Sequence, residues 1–382
     1  MSDKIQKRSK HMPDIAVLIK PASSLCNMRC KYCFYADVSS RRKVRSFGIM
    51  SRETAHALID KVFGQAKNSE QINFAFQGGE PTLAGLDFFR DFCSYCDKKN
   101  NKNLKIGYAI QTNGILIDND FCAFLKKYDF LVGLSLDGDR QMHDFCRVDE
   151  KGGTYERVIA ASKLLEQHSV RFDLLTVLTR QIADHPKQLW NFLNRNNFSF
   201  IQIIPCLPDL ENDIGHEVYS LTPRKYGRFL KEFFRLWADG IYNSNYISVR
   251  HFDNYVRIAM GEYPEMCGMT GKCAIQLVTE ADGSVYPCDF YVLDNEKLGN
   301  INDSSIDDLK KGKKAELFLK KNAETIGRCE NCGYFGRCEG GCRRFRSFLL
   351  SESNYCPVKD FLDESKNELA QIAKLVLYRQ NI

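Results

Sequence analysis

The stretch Ala16-Val-Leu-Ile-Lys-Pro-Ala-Ser-Ser-Leu-Cys26-Asn-Met-Arg-Cys30-Lys-Tyr-Cys33-Phe-Tyr35 runs from a short apolar, β-type segment straight into three thiols within eight residues. Segments of the first kind recur at Ala16 to Ile19, Ile72 to Phe76, Leu104 to Ile110, Phe130 to Leu134, Arg171 to Val177 and Phe198 to Ile204. Between them lie stretches of helical periodicity: Arg52 to Ala66, Leu86 to Lys98, Asn119 to Lys127, Tyr155 to Gln167, Pro186 to Asn194 and Arg224 to Trp237. Six β-then-α units in succession predict an α/β fold with a parallel sheet and right-handed crossovers, curled into an open or closed barrel. Chemistry in such a fold sits on the loops after the strand C-termini, where the thiols lie.

Beyond about residue 243 the alternation stops, and cysteines, glycines and turn residues take over. The chain of 382 residues therefore divides into a tail (1–12), a barrel (13–242) and a cysteine-rich second domain (243–382) ending in an amphipathic helix over Asp360 to Tyr378. The region from Cys267 to Cys356 is poor in continuous apolar segments, so inorganic staples are the expected substitute for a core. The tail holds Lys4, Lys7, Arg8 and Lys10 and is expected to be solvated and disordered. Net charge is only +6, from 54 basic and 48 acidic residues, and no aromatic residue interleaves with the basic tail, so no nucleic-acid partner is expected. No apolar run approaches the ~20 residues of a bilayer span, and the N-terminus lacks a signal-peptide core. The expectation is a monomer in the cytoplasm, not associated with membrane. In that reducing setting 16 cysteines point to metal or cluster ligation, not to disulfides.

Three thiolates at Cys26, Cys30 and Cys33 can hold three irons of a cubane and leave the fourth open to a substrate. The alternative is a zinc site completed by a distant His or Cys. The C-terminal region adds Cys267, Cys273, Cys288, Cys329, Cys332, Cys338, Cys342 and Cys356, enough for two four-thiolate sets that would suit iron–sulfur clusters or zinc. Cys93 and Cys96, on a helical stretch, are expected in core packing or as surface thiols, not in a further metal site, and Cys206 as a small lining residue. Polar loops follow the next three strands: Gln77-Gly78-Gly79-Glu80-Pro-Thr, Gln111-Thr-Asn113-Gly, and Ser135-Leu-Asp137-Gly. Glycines there let backbone approach a ligand, and Glu80 can pair with an ammonium. A tight turn capped by Thr82 would account for the first loop equally.

The C-x3-C-x2-C loop resembles that of the radical S-adenosylmethionine superfamily. The resemblance implies a partial (β/α)6 barrel and a [4Fe–4S] cluster whose open iron binds S-adenosylmethionine, giving a 5′-deoxyadenosyl radical. It places the cofactor against Tyr35, Gln77, Gly78, Gly79, Glu80, Asn113 and Ser135, with Asp137 and Arg147 beside them; Tyr35 and Gln77 are also candidates for orienting a peptide. Cys273, Gly283-x4-Cys288 and C-x2-C-x5-C-x3-C look like a SPASM domain. That likeness implies two auxiliary [4Fe–4S] clusters, three in all: one on Cys267, Cys273, Cys288 and Cys342, the other on Cys329, Cys332, Cys338 and Cys356.

Longer strings, Leu18 to Ser24, Phe74 to Gly85 and Asp282 to Leu293, are similar to the anaerobic sulfatase-maturating enzymes. That family resemblance implies oxidation of a Cys or Ser in a sulfatase polypeptide to Cα-formylglycine, with Asp289 as the base and an auxiliary cluster as the electron exit. It also implies a low-potential donor such as flavodoxin or ferredoxin. Two other functions fit the same residues: a radical enzyme forming thioether or other crosslinks in a ribosomal peptide natural product, and a zinc-stabilised peptide-binding module without catalysis.

Overall fold

The computed structural model describes residues 15–66, 71–210, 217–323 and 327–380; the basic tail, 1–12, lies outside the described residues. Six strands form a continuous parallel array: β1 (Ile15–Ile19), β2 (Gln71–Phe76), β3 (Lys105–Thr112), β4 (Leu131–Ser135), β5 (Phe172–Leu178) and β6 (Phe200–Pro205). Their bounds fall within two residues of the six apolar runs. The helices between them are α1 (Arg52–Gln65), α2 (Leu86–Lys99), α3 (Asn119–Lys127), α4 (Tyr155–Gln167), α5 (Pro186–Arg195) and, after β6, α6 (Pro223–Tyr242). Oxygens of Ser51, Asp118 and Thr222 accept the first-turn N–H groups of α1, α3 and α6, which fixes where each helix starts.

Strand β2 illustrates the layering. Ile72, Phe74 and Phe76 alternate with Asn73 and Ala75, and only the first set is fully buried. Phe74 and Phe76 pack edge-on against Phe92 of α2, with ring centroids 5.1 Å apart in each pair. Each such buried ring is worth roughly 1.5–3 kcal/mol.

Four short strands beyond residue 243 lengthen the same sheet: β7 (Ser248–Val249) pairs parallel with β6, and β8 (Val278–Thr279) parallel with β1. Strands β9 (Ser284–Tyr286) and β10 (Gly299–Asn300) then continue antiparallel, giving the order β10-β9-β8-β1-β2-β3-β4-β5-β6-β7. The two edge strands do not pair with each other, so the described sheet is an open, partial barrel. A further helix, α7 (Arg250–Ala259), follows β7; it was missed in the sequence because its buried Phe252, Tyr255 and Val256 span barely one turn of periodicity. The closing helix α8 (Pro357–Gln380) packs on α6, with Phe234 and Phe361 in edge contact at 5.4 Å. Among the described residues no helix is long and apolar enough to cross a membrane.

Candidate active site

Register aligns the strand C-termini: Ile19 pairs with Phe76 and with Thr279, Phe76 with Ile110, Thr112 with Leu134, and Ser135 with Leu175. The loops flagged in the sequence therefore open on one edge. The Cys26–Cys33 loop is gripped from two sides. Gly79 and Glu80 donate backbone N–H groups to Ser23 and Leu25 carbonyls at 2.9 and 2.7 Å; Arg29 and Lys31 donate to Val148 and Cys146 carbonyls at 2.7 and 3.0 Å. A Cβ at Gly79 would stand 2.1 Å from the Leu25 carbonyl oxygen, so this glycine lets two loops touch. The close backbone contact of Gly79 is thus with the chain leading into the cysteine loop.

Glu80 is buried and ties three loops together. Its Oε1 accepts from Thr82 N, Thr82 Oγ1 and Thr112 Oγ1 at 3.1, 2.6 and 2.7 Å, and its Oε2 accepts from Asn113 N at 2.7 Å. Burial pushes its carboxyl pKa up against these bonds, which favour the charged form. Asn113 donates through Nδ2 to Asn27 at 2.7 Å and lies 3.9 Å from Cys26 Sγ. Ser135 is buried at the end of β4. Asp137 is wholly buried, accepting from Tyr32 OH and, at 2.9 Å, from Val177 N. Arg147 Nε lies 3.0 Å from its Oδ2, a contact poorly aligned for a hydrogen bond, while Arg147 Nη1 reaches Cys30 Sγ at 3.9 Å. His143 sits beneath this pair: Asp137 N donates to Nδ1 at 3.2 Å, and burial, with the nearby Arg147 charge, pushes its pKa down to about 2. His143 carried no motif signal, and only the fold brings it and Tyr32 to Asp137.

Asp289 leads a short 3-10 turn and caps nothing. Its Oδ1 pairs with Lys20 Nζ at 2.6 Å and its Oδ2 accepts from Gln77 Nε2 at 3.0 Å. Tyr35 is buried next to them, its ring 3.8 Å under Lys20 Nζ and its hydroxyl on Glu280, which also pairs with Arg42.

The eight C-terminal thiols sort themselves by proximity. Burial raises the pKa of Cys267, Cys273 and Cys288, and each also feels the charge of Cys342, whose N–H bonds the Gly268 carbonyl at 3.1 Å. Cys329 and Cys338 likewise feel Cys356. With Cys332 these last three line a cavity of about 320 Å³, edged by Gly340 and Gly341. Each group offers four thiols and suits a four-thiolate cluster. Near the first loop, burial raises Cys26 and Cys30 to about 11 and 12, values that direct metal coordination reverses. Among the described residues no three or more His, Cys, Asp or Glu side chains gather around one metal-ion position. Cubane ligands need not do so, since each holds a different iron. Cys93 and Cys96 are wholly buried on α2, and Cys206 is buried after β6.

Strand-end loops bearing three thiols, together with a thiol-rich second region, fit an enzyme that generates radicals from S-adenosylmethionine at an iron–sulfur cluster, and the family models that match the chain place it in that class. The Radical SAM superfamily model matches residues 21–193, and the SPASM iron–sulfur cluster-binding domain model matches 270–333. A cysteine-type anaerobic sulfatase-maturating enzyme of Clostridium novyi is 37% identical over 97% of this chain and 100% of its own. Its counterpart in Clostridium perfringens is 41% identical over 95% and 99%. A solved structure of native anSMEcpe with bound AdoMet and Cp18Cys peptide superposes with TM-score 0.88 at 39% identity, covering 95% of this chain and 99% of that one. The chain belongs to the family of anaerobic sulfatase-maturating enzymes, and its two matched domains imply iron–sulfur clusters and S-adenosylmethionine.

Proposed function

We propose that this enzyme oxidises the target cysteine of a sulfatase polypeptide to Cα-formylglycine. The cysteine type of its relatives at 37–41% identity favours Cys over Ser as the target. When bound, S-adenosylmethionine and three [4Fe–4S] clusters supply hydrogen-atom abstraction at the substrate Cβ and an exit for the second electron. Cys26, Cys30 and Cys33 would hold the first cluster. The others would sit on Cys267, Cys273, Cys288 and Cys342, and on Cys329, Cys332, Cys338 and Cys356. Glu80, whose charge reaches Cys26, would take the cofactor's ammonium, with Gly78, Gly79, Asn113 and Ser135 around it. Asp137 and Arg147 would brace Cys30.

One observation carries the reading: a carboxylate, Asp289, adjoins the thiol Cys288 and is held by residues following β1 and β2, at the same end as the first cysteine loop. There it would take the substrate thiol proton as general base, with Gln77 orienting the peptide and the buried Tyr35 acting only through Lys20, which it packs against. The chain would work in the cytoplasm as a monomer, divided at residues 13–242 and 243–382, and fed by a low-potential donor such as flavodoxin or ferredoxin. Anaerobic incubation of the reconstituted enzyme, reductant and S-adenosylmethionine with a cysteine-containing sulfatase peptide tests this by mass. Formylglycine is the expected product; a crosslinked peptide, or unmodified peptide beside abundant 5′-deoxyadenosine, refutes it.

A further inference from the structure

Lys20 follows β1 and is wholly inaccessible, yet the reaction as written makes no use of it. A lysine buried to this degree costs several kcal/mol unless its ammonium is paired and held. Its pairing is specific: Oδ1 of Asp289 at 2.6 Å, 269 residues away in sequence. Gln77 takes the other oxygen at 3.0 Å, so any rotation of the carboxylate breaks a contact on each side. The ammonium is itself confined. The Tyr35 ring lies 3.8 Å beneath it, and the Tyr35 hydroxyl is tethered to Glu280, which forms a second buried ion pair with Arg42. The Gly78 backbone packs on the stem of the same side chain, so close that a Cβ there would meet Lys20 Cβ at 3.3 Å. Gly78 has φ +136°, which favours glycine at this position.

We propose that Lys20 is a positioning residue, whose clamped ammonium fixes the Asp289 carboxylate in the orientation that receives the substrate thiol proton. The inference rests on Asp289 being the base. In the step concerned the substrate S–H bond breaks and a carboxyl O–H bond forms; Lys20 keeps its own protons and no electron moves. A carboxylate lacking its Lys20 contact would rotate out of reach of the thiol, and radical formation would run on without productive oxidation.

The reconstituted holoenzyme in four forms tests this: wild type, Asp289→Asn, Lys20→Met, and the double variant. Formylglycine per 5′-deoxyadenosine, peptide KM, peptide binding by fluorescence anisotropy, and iron per chain are measured in each. Lys20→Met is expected to lower formylglycine per deoxyadenosine at least tenfold, with KM, binding and iron within twofold of wild type. Added to Asp289→Asn it is expected to change nothing more, because it acts through that carboxylate. A Lys20→Met enzyme as tightly coupled as wild type, or one whose loss multiplies that of Asp289→Asn, overturns the proposal. If Asp289→Asn itself stays coupled, the assignment of the base fails; if it uncouples while Lys20→Met does not, only the role of Lys20 fails. Should Lys20→Met lose iron, Lys20→Gln takes its place with the same expectation. Loss of iron from both neutral variants makes Lys20 a folding residue and overturns the proposal.

Discussion

Replacing Gly79 by Ala adds one methyl group where the loop after β2 lies against the chain leading into Cys26. That methyl would stand 2.1 Å from Leu25 O, 2.6 Å from Leu25 C and 2.7 Å from Ser24 C, all backbone atoms that no rotamer change can move aside. Reaching an ordinary 3.4 Å contact requires the loops to part by about 1.3 Å. A separation of that size breaks the Gly79 N–Ser23 O and Glu80 N–Leu25 O bonds, now 2.9 and 2.7 Å. At about 1 kcal/mol per bond and ~1–3 kcal/mol for overpacking, the assembled loop loses about 3–5 kcal/mol. Since 1.4 kcal/mol is tenfold, its population falls about 10²–10⁴-fold. The assay is anaerobic reconstitution followed by an iron count and the rate of 5′-deoxyadenosine formation. Gly79→Ala is expected to lose about one cubane of iron, keep its C-terminal iron, and cleave the cofactor at least 100-fold more slowly. Gly64→Ala, in α1 with no neighbour within 4 Å of the new methyl, is the control and gains up to ~1 kcal/mol of helix stability. Wild-type iron and a cleavage rate within threefold in Gly79→Ala would refute the reasoning.

Cys30→Ala is expected to abolish cofactor cleavage while iron at the C-terminal thiols persists; normal cleavage would remove Cys30 from the first cluster. Asp289→Asn keeps size and hydrogen bonding but not basicity, so 5′-deoxyadenosine should still form while formylglycine yield drops ~10²–10⁴-fold, as read by paired chromatography and mass measurement. A normal yield would transfer the role of base to another group. His143 is neutral in the fold, with a pKa near 2 against ~6.5 when unfolded, so below pH ~6.5 the unfolded state binds the extra proton. Its contribution is fully present above pH ~6.5 and is lost by up to ~1.4 kcal/mol for each pH unit below, which should lower the urea midpoint between pH 6.5 and 5. His143→Gln should show a shallower decline over that range, and equal slopes would contradict the assignment.

Sequence alone determined the alternation of strands and helices, because side-chain periodicities of 2 and 3.6 and capping residues such as Ser51, Asp118 and Thr222 are local properties. It also placed the thiols and polar loops after strands, where spacing along the chain is itself the chemical signal. The short strands beyond residue 243 were not legible, since two- and three-residue pairings carry no periodicity. Tertiary structure alone joined Lys20 to Asp289 and Arg42 to Glu280, pairs separated by 269 and 238 residues. It alone brought Cys356 beside Cys329 and Cys338, a grouping the sequence offered only through family resemblance. It also gave Gly79 its reason, close loop contact, which the string Gln77-Gly-Gly-Glu80 cannot distinguish from a turn. The physical cause is common to all of these: a buried charge or a glycine contact is defined by its partner, and the partner is chosen by sheet order and register, which local periodicity does not encode.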